Sequence, residues 1–176
     1  MKKTIVSYSY TGNNDAFALG LAREISADHI RILETGKRTM QKIILDTIFN
    51  RCPKIRLSED RNINKNHVIF ISPVWLGKIA APMRTYLHQL DLEDIKFGFI
   101  SISGGADGPD TNSEICNEIT GILAKEPDFV LDLHKANLLP SEPKPSRKMT
   151  MNYRLQEGDV DLLIRQAMPT IKIFTN

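Results

Sequence analysis

Along the chain, short apolar runs alternate with stretches in which apolar residues recur every three or four positions. Thr4–Ser7, His67–Ser72, Phe97–Ile102 and Phe129–Leu133 are short apolar runs, the pattern of strands covered on both faces. A shorter run, His29–Leu33, predicts another strand. Between them, Phe17, Leu21 and Ile25 fall on every fourth residue. Met40, Ile43, Ile44, Thr47 and Ile48 follow the stripe of a helix lying on a core. Ile79, Met83, Tyr86, Leu87 and Leu90 repeat that stripe, with Pro82 near the first turn, where a missing N–H costs little. Ile115, Ile119, Ile122 and Leu123 form the next, opened by Thr111-Asn112-Ser113-Glu114, which reads as a capping box. Val160, Leu163, Ile164 and Ala167 predict a last helix opened by Gly158-Asp159.

The result is five βα units in one row. Parallel strands need crossovers, so this alternation predicts an α/β fold: a doubly wound, mainly parallel sheet with helices on both faces. Two segments interrupt the beat. Arg51–Asn66 is polar and reads as an irregular excursion, and Leu139–Lys148, with three prolines, reads as an exposed loop. Neither is long enough for a second domain, and no repeat or linker is visible, so residues 1–176 are read as one domain.

Composition narrows the function classes. A formal charge of +2 indicates neither bulk nucleic-acid binding nor a strongly acidic docking surface. No apolar run approaches the ~18 residues of a membrane span, and the amino terminus lacks a signal-peptide core. Cys52 and Cys116 have neither CxxC spacing nor a framework around them. A cytoplasmic protein without membrane insertion is therefore expected.

In sheets of this kind ligands bind beyond the carboxyl ends of the strands. The first such place is Ser7-Tyr8-Ser9-Tyr10-Thr11-Gly12-Asn13-Asn14-Asp15, between the first strand and the first helix. Unpaired N–H groups and the helix dipole favour an anion there. Ser9 and Thr11 add hydroxyls, Gly12 permits an unusual backbone angle, and Asn13 and Asn14 carry amide donors. With no lysine or arginine in the loop, a phosphate held mainly by neutral donors is the natural reading. The plainer alternative is that Asn13 or Asn14 only caps the helix. A P-loop would need a lysine after the second glycine, and a dinucleotide fingerprint would need GxGxxG; both are absent. A phosphorylated receiver domain would want an aspartate where the third strand ends in Ser72-Pro73.

After the third strand comes Ser72-Pro73-Val74-Trp75-Leu76-Gly77-Lys78, with the chain's single tryptophan. Trp75 either offers an apolar face to a flat ligand or folds back on the core edge. After the fourth strand, Ser101-Ile102-Ser103-Gly104-Gly105-Ala106-Asp107-Gly108-Pro109 leaves a small-residue backbone against which a flat ring can lie. All three loops fall at one end of the sheet, describing a phosphate pocket joined to a slot for a flat ring.

At this point the chain resembles the flavodoxin family. "SYTGNN" is similar to that family's phosphate loop, [ST]-x-T-G-x-T, with Ser9, Thr11, Gly12 and Asn13 in matching places and Asn14 where the family has threonine. "SPVWLGKIAAPMRTYL" resembles its flavin-ring loop and following helix, and "GKRTMQKIILDTIFNRCPKI" the second-helix region of a bacterial subgroup. The resemblance spans essentially the whole chain. It implies strand order 2-1-3-4-5 and noncovalent FMN, with Ser9, Thr11, Gly12, Asn13 and Asn14 at the phosphate. Pro73, Val74, Trp75, Leu76 and Gly77 would flank one side of the ring, and Ser103, Gly104, Gly105 and Ala106 the other.

The expected role is electron transfer between a donor and a small acceptor or a redox partner protein. The slightly basic charge suits an NAD(P)H-dependent reductase of quinones or similar acceptors better than a pure carrier, and the reductase reading is compatible with a homodimer. The alternative is a binding or regulatory protein on the same fold that has lost FMN. No catalytic acid or base stands out. His29, His67, His88 and His134 are scattered without metal spacing, and the two cysteines lack an activating neighbour. Lys78 and Arg84 flank the ring loop as candidate contacts for an anionic substrate.

Overall fold

The apolar runs pair into a single six-stranded sheet. A computed structural model describes residues 2–58, 67–90, 95–104, 111–140 and 145–175. Its elements are β1 (Lys3–Ser7), α1 (Asn13–Glu24), β2 (Asp28–Glu34), α2 (Met40–Ile48), β3 (Ile55–Leu57), β4 (His67–Ile71), β5 (Val74–Trp75), β6 (Lys78–Ile79), α3 (Ala81–Leu87), β7 (Lys96–Ser103), α4 (Thr111–Leu123), β8 (Phe129–His134), α5 (Arg147–Asn152) and α6 (Glu157–Thr175). The sheet order is β3-β2-β1-β4-β7-β8, and every neighbour is parallel except the edge pair β2–β3. The five parallel strands thus have the expected 2-1-3-4-5 order. The addition is β3, which lies within the stretch expected to be irregular; the rest of that stretch, 59–66, falls outside the described residues.

Each sheet face carries its own core. Val6, Ile30, Val68, Phe70, Phe97 and Phe99 face α3 and α4, where Met83, Leu87, Ile115 and Ile119 meet them. Ile5, Ile69, Ile71, Ile100 and Ile102 face α1 and α6, covered by Phe17, Leu21, Leu163, Ala167 and Ile171. Period-two alternation along the strands and helical spacing along the covers produce this division directly. Among the described residues, no helix is long and apolar enough to cross a membrane.

Some boundaries differ from the sequence reading. Ile79 belongs to β6 rather than to α3, which starts at Ala81 with Pro82 in its first turn. Arg147 and Lys148 open α5, so the proline-rich loop is shorter than expected, with 141–144 outside the described residues. The larger correction concerns α2. Its expected stripe lies on the core only in part: Ile43 and Thr47 are buried, together with Asp46, while Met40, Ile44 and Ile48 are exposed.

Among the described residues, one buried imidazole has no hydrogen-bond partner. His67 opens β4 beneath the Phe174 ring, and neither ring nitrogen has a hydrogen-bond partner. Burial, reinforced by Lys96 and Lys3, pushes its pKa below the usual histidine value. The unfolded chain then binds a proton near pH 6.5 that the folded chain refuses, so stability falls as pH drops below about 6.5. His67→Phe is expected to remove this contribution. Denaturation midpoints of variant and wild type should diverge in the variant's favour from pH 7 to pH 5; parallel curves would refute the assignment.

Candidate functional site

The loop from Tyr8 to Gly12 leaves β1 and enters α1 over the carboxyl ends of the strands. Ser9 organises it: its Oγ accepts the N–H of Gly12 at 3.0 Å and of Asn14 at 3.2 Å. One hydroxyl oxygen therefore gathers two amides at the positive end of α1, the arrangement an anion oxygen takes at such a place. Gly12 is the N-cap residue, at φ 92° and ψ −19°, without a side-chain cap. That left-handed angle is strained for a β-branched residue and free for glycine. A Cβ at Gly12 meets nothing within 4 Å, so the surface above it is open.

The two asparagines do something else. Asn13 is buried, donates Nδ2 to the Tyr153 carbonyl at 2.9 Å, and accepts the Leu155 N–H on Oδ1 at 3.1 Å. Asn14 is also buried and accepts the Ile102 N–H of β7 at 3.3 Å. Neither side chain caps the helix. Asn13 engages both atoms of its amide with the segment between α5 and α6, so that position offers a phosphate its backbone N–H, while the Asn14 side-chain oxygen is engaged by β7. Asp15, in the first turn, would repel an anion if free. Instead Oδ1 accepts the Ser7 hydroxyl at 2.7 Å, and Oδ2 accepts Arg31 Nε and Nη2 at 2.9 and 2.6 Å. Ser7 gives its one proton to Asp15, so His29 Nε2, 2.9 Å away, carries the hydrogen between those two groups.

Beyond β4, Pro73 and Val74 are buried, and the next residues form the hairpin β5–β6 with Trp75 opposite Lys78. Leu76 (φ 53°) and Gly77 (φ 74°) are both left-handed, as a two-residue hairpin turn of this twist requires. Leu76 pays about 1 kcal/mol for a conformation unusual in a leucine, and projects into solvent. Trp75 is half-buried. Tyr8 and Tyr10 meet it edge-to-face at 6.1 and 6.2 Å, and the Arg38 guanidinium lies 5.7 Å from its ring centre. Arg38 pairs with Glu34 at 3.0 Å and Asp46 at 2.7 Å, and Glu34 also accepts the Tyr8 hydroxyl at 2.6 Å. Burial, with the bond to Glu34, pushes the Tyr8 phenol well above its ordinary pKa, keeping it a neutral donor. Arg38 Nε and Nη2 have no hydrogen-bond acceptor; the neighbouring indole is the remaining electron-rich group beside the guanidinium.

At the end of β7, Ser103 is buried, and a Cβ on Gly104 would lie 3.1 Å from Thr150 Oγ1. The α5 segment thus closes against this loop. Gly105 and Ala106 lie outside the described residues. Behind the loop, Ser101 donates to Asp132, whose other oxygen is 3.1 Å from His134 Nε2.

Sequence reasoning located the three loops but missed their supports: the Tyr8–Glu34–Arg38–Asp46 chain and the Tyr153–Leu155 segment. The spacing of Glu34 and Arg38 hints at the former; no local signal ties Asn13 to a partner 140 positions away. Arg84 is held mainly by protein groups. It is buried, donating to the Asp46 and Arg51 carbonyls and pairing with Glu118 at 3.3 Å. Lys78 donates to Asn50 Oδ1 at 2.8 Å. The Leu76–Lys78 turn also walls a cleft of about 610 Å³ towards α3 and α4, bordered by Asn50, His88 and Glu114; none of residues 9–14 lines it.

No family model matches this chain, and no curated protein matches it. Solved structures do. A flavoprotein from Lactobacillus acidophilus NCFM, determined in complex with FMN, superposes with a TM-score of 0.61 at 21% identity, over 74% of this chain and 92% of that one. Flavoproteins described as putative, from Bacteroides eggerthii and Bacteroides uniformis, each give a TM-score of 0.64 at 13% identity. They cover 76% and 85% of this chain, and 87% and 94% of their own. Strand order, crossover helices and these superpositions agree: the chain has the flavodoxin-like fold.

Proposed function

We propose that this chain binds FMN noncovalently and passes electrons between a reductant and an acceptor. The observation that carries the reading is the gathered pair of amides at the start of α1, beside an open Gly12 and a neutralised Asp15. A phosphate oxygen in place of the Ser9 hydroxyl would receive the same N–H groups, with Ser9 and Thr11 free to donate. Gly12 lets the backbone turn there, and Asn13 and Asn14 contribute amides while their side chains hold the loop to α5–α6 and β7. Pro73, Val74, Trp75, Leu76 and Gly77 would flank one side of the ring, with Ser103, Gly104, Gly105 and Ala106 on the other. The FMN complex of the L. acidophilus structure supports the same cofactor here.

When bound, FMN supplies one- and two-electron redox chemistry. The chain's part is to hold and orient it: Tyr8 and Arg38 fix Trp75 at the ring side, and Thr150 backs Gly104 at the other. The preferred reading is an NAD(P)H-dependent reductase of quinones or similar small acceptors. The second reading, a binding or regulatory protein without flavin, draws on Tyr10 and Arg38 already occupying Trp75. FMN titration of the purified protein separates them. Saturable mutual quenching of Trp75 and flavin at micromolar FMN, followed by NADH- or NADPH-dependent quinone reduction, is the expected result. Absence of binding would overturn the flavoprotein reading; binding without turnover would leave a carrier.

A further inference from the structure

Helix α2 has an apolar face that the fold leaves uncovered. Met40, Ile44, Leu45, Ile48 and the adjoining Phe49 are exposed by 46%, 46%, 40%, 59% and 62%. At 100° per residue these positions spread over about half of the helix circumference, opposite the buried Ile43, Asp46 and Thr47. A helix that is apolar on its solvent side as well as its core side has the pattern of one covered twice.

From this we infer that α2 is the centre of a twofold homodimer interface, a reading independent of flavin binding. Charge and area favour a second copy as occupant. Lys42 is the single charged side chain among the exposed residues of α2, and the Arg51 guanidinium lies 5.4 Å from the Phe49 ring centre, so charge sits at the rim while the middle of the face carries none that would repel its own image. With about 200 Å² per large apolar side chain, the five exposures leave roughly 500 Å² uncovered, in the upper part of the range for a monomer's largest patch. Two such patches facing across a twofold axis would bury about 1,000 Å², the area at which specific interfaces begin. The axis makes one patch serve both sides, with the i, i+4 row Met40–Ile44–Ile48 packing against its own copy.

The test is sedimentation velocity of the full chain over a concentration series. A species of twice 19.9 kDa is expected for wild type, and a monomer for Ile44→Glu/Phe49→Glu with an unchanged circular dichroism spectrum. Both side chains are already exposed, so the variant should fold; Ile48→Lys gives a second disruption if it does not. A wild type that stays monomeric well above micromolar concentration would overturn the inference and reassign the face to another partner or a chain segment. A dimer that survives both sets of substitutions would overturn it by placing the contact elsewhere.

Discussion

Replacing Gly12 by Val is expected to raise the dissociation constant for FMN by about a hundredfold or more, while lowering the melting temperature by only a few degrees. The two effects separate because Gly12 is exposed and touches nothing, yet sits at φ 92°. A valine is excluded from that angle by its own backbone rather than by a neighbour. The loop must turn to negative φ, swinging the Gly12 and Asn14 N–H groups away from the point where Ser9 Oγ now gathers them. Each charge-assisted bond to a phosphate is worth about 1.5–3 kcal/mol, so two lost amides account for the expected weakening. Thr11→Val, which removes one hydroxyl at constant shape, should cost about tenfold. Flavin fluorescence titration reads both. A dissociation constant unchanged in Gly12→Val would mean that the phosphate, if bound at all, lies outside this loop.

Asn13→Ala should produce the largest loss of stability among the loop residues, about 2–4 kcal/mol. The side chain is buried, and its two bonds reach backbone atoms on either side of Arg154. Truncation orphans both the Tyr153 carbonyl and the Leu155 N–H in a partly buried place, and each orphan costs more than a bond's net worth. For a domain of 176 residues that corresponds to a fall of roughly 5–15 °C in melting temperature. Asn13→Asp distinguishes the role from mere packing. It keeps the acceptor for Leu155 but turns a second oxygen on the Tyr153 carbonyl, so it should also destabilise, despite equal size. Limited proteolysis between 145 and 156 should accelerate in both variants. Wild-type melting and cleavage in Asn13→Ala would show that the α5–α6 segment holds itself in place.

Local chemistry made much of this protein readable. Continuous apolar runs such as Val68–Ile71 are compatible only with strands covered twice, and their alternation with helical stripes leaves a parallel sheet as the one economical arrangement. The density of small donors around Gly12 marked the first loop, because such residues are unneeded for a plain turn. What periodicity could not supply was the surroundings of each side chain. An apolar stripe looks the same whether it faces a core or solvent, so α2 read as packed although the fold turns Ile44 and Ile48 outward.

Asn13 and Asn14 have amides suited to a phosphate, but their partners are decided in three dimensions: the Tyr153 carbonyl takes the Asn13 donor, and the Leu155 and Ile102 N–H groups take the oxygens of Asn13 and Asn14. Trp75 was open between two orientations until Tyr8 and Tyr10 from the first loop and Arg38 from the β2–α2 connection came to surround it. The amino-acid sequence by itself determined the layers and the end of the sheet where the donor-rich loops gather, since these follow from short-range pattern; the strand order was implied only by the family resemblance. Only the tertiary structure decided which donors remain for a ligand and which apolar surface remains for a partner, because both are what is left after long-range contacts have taken their share.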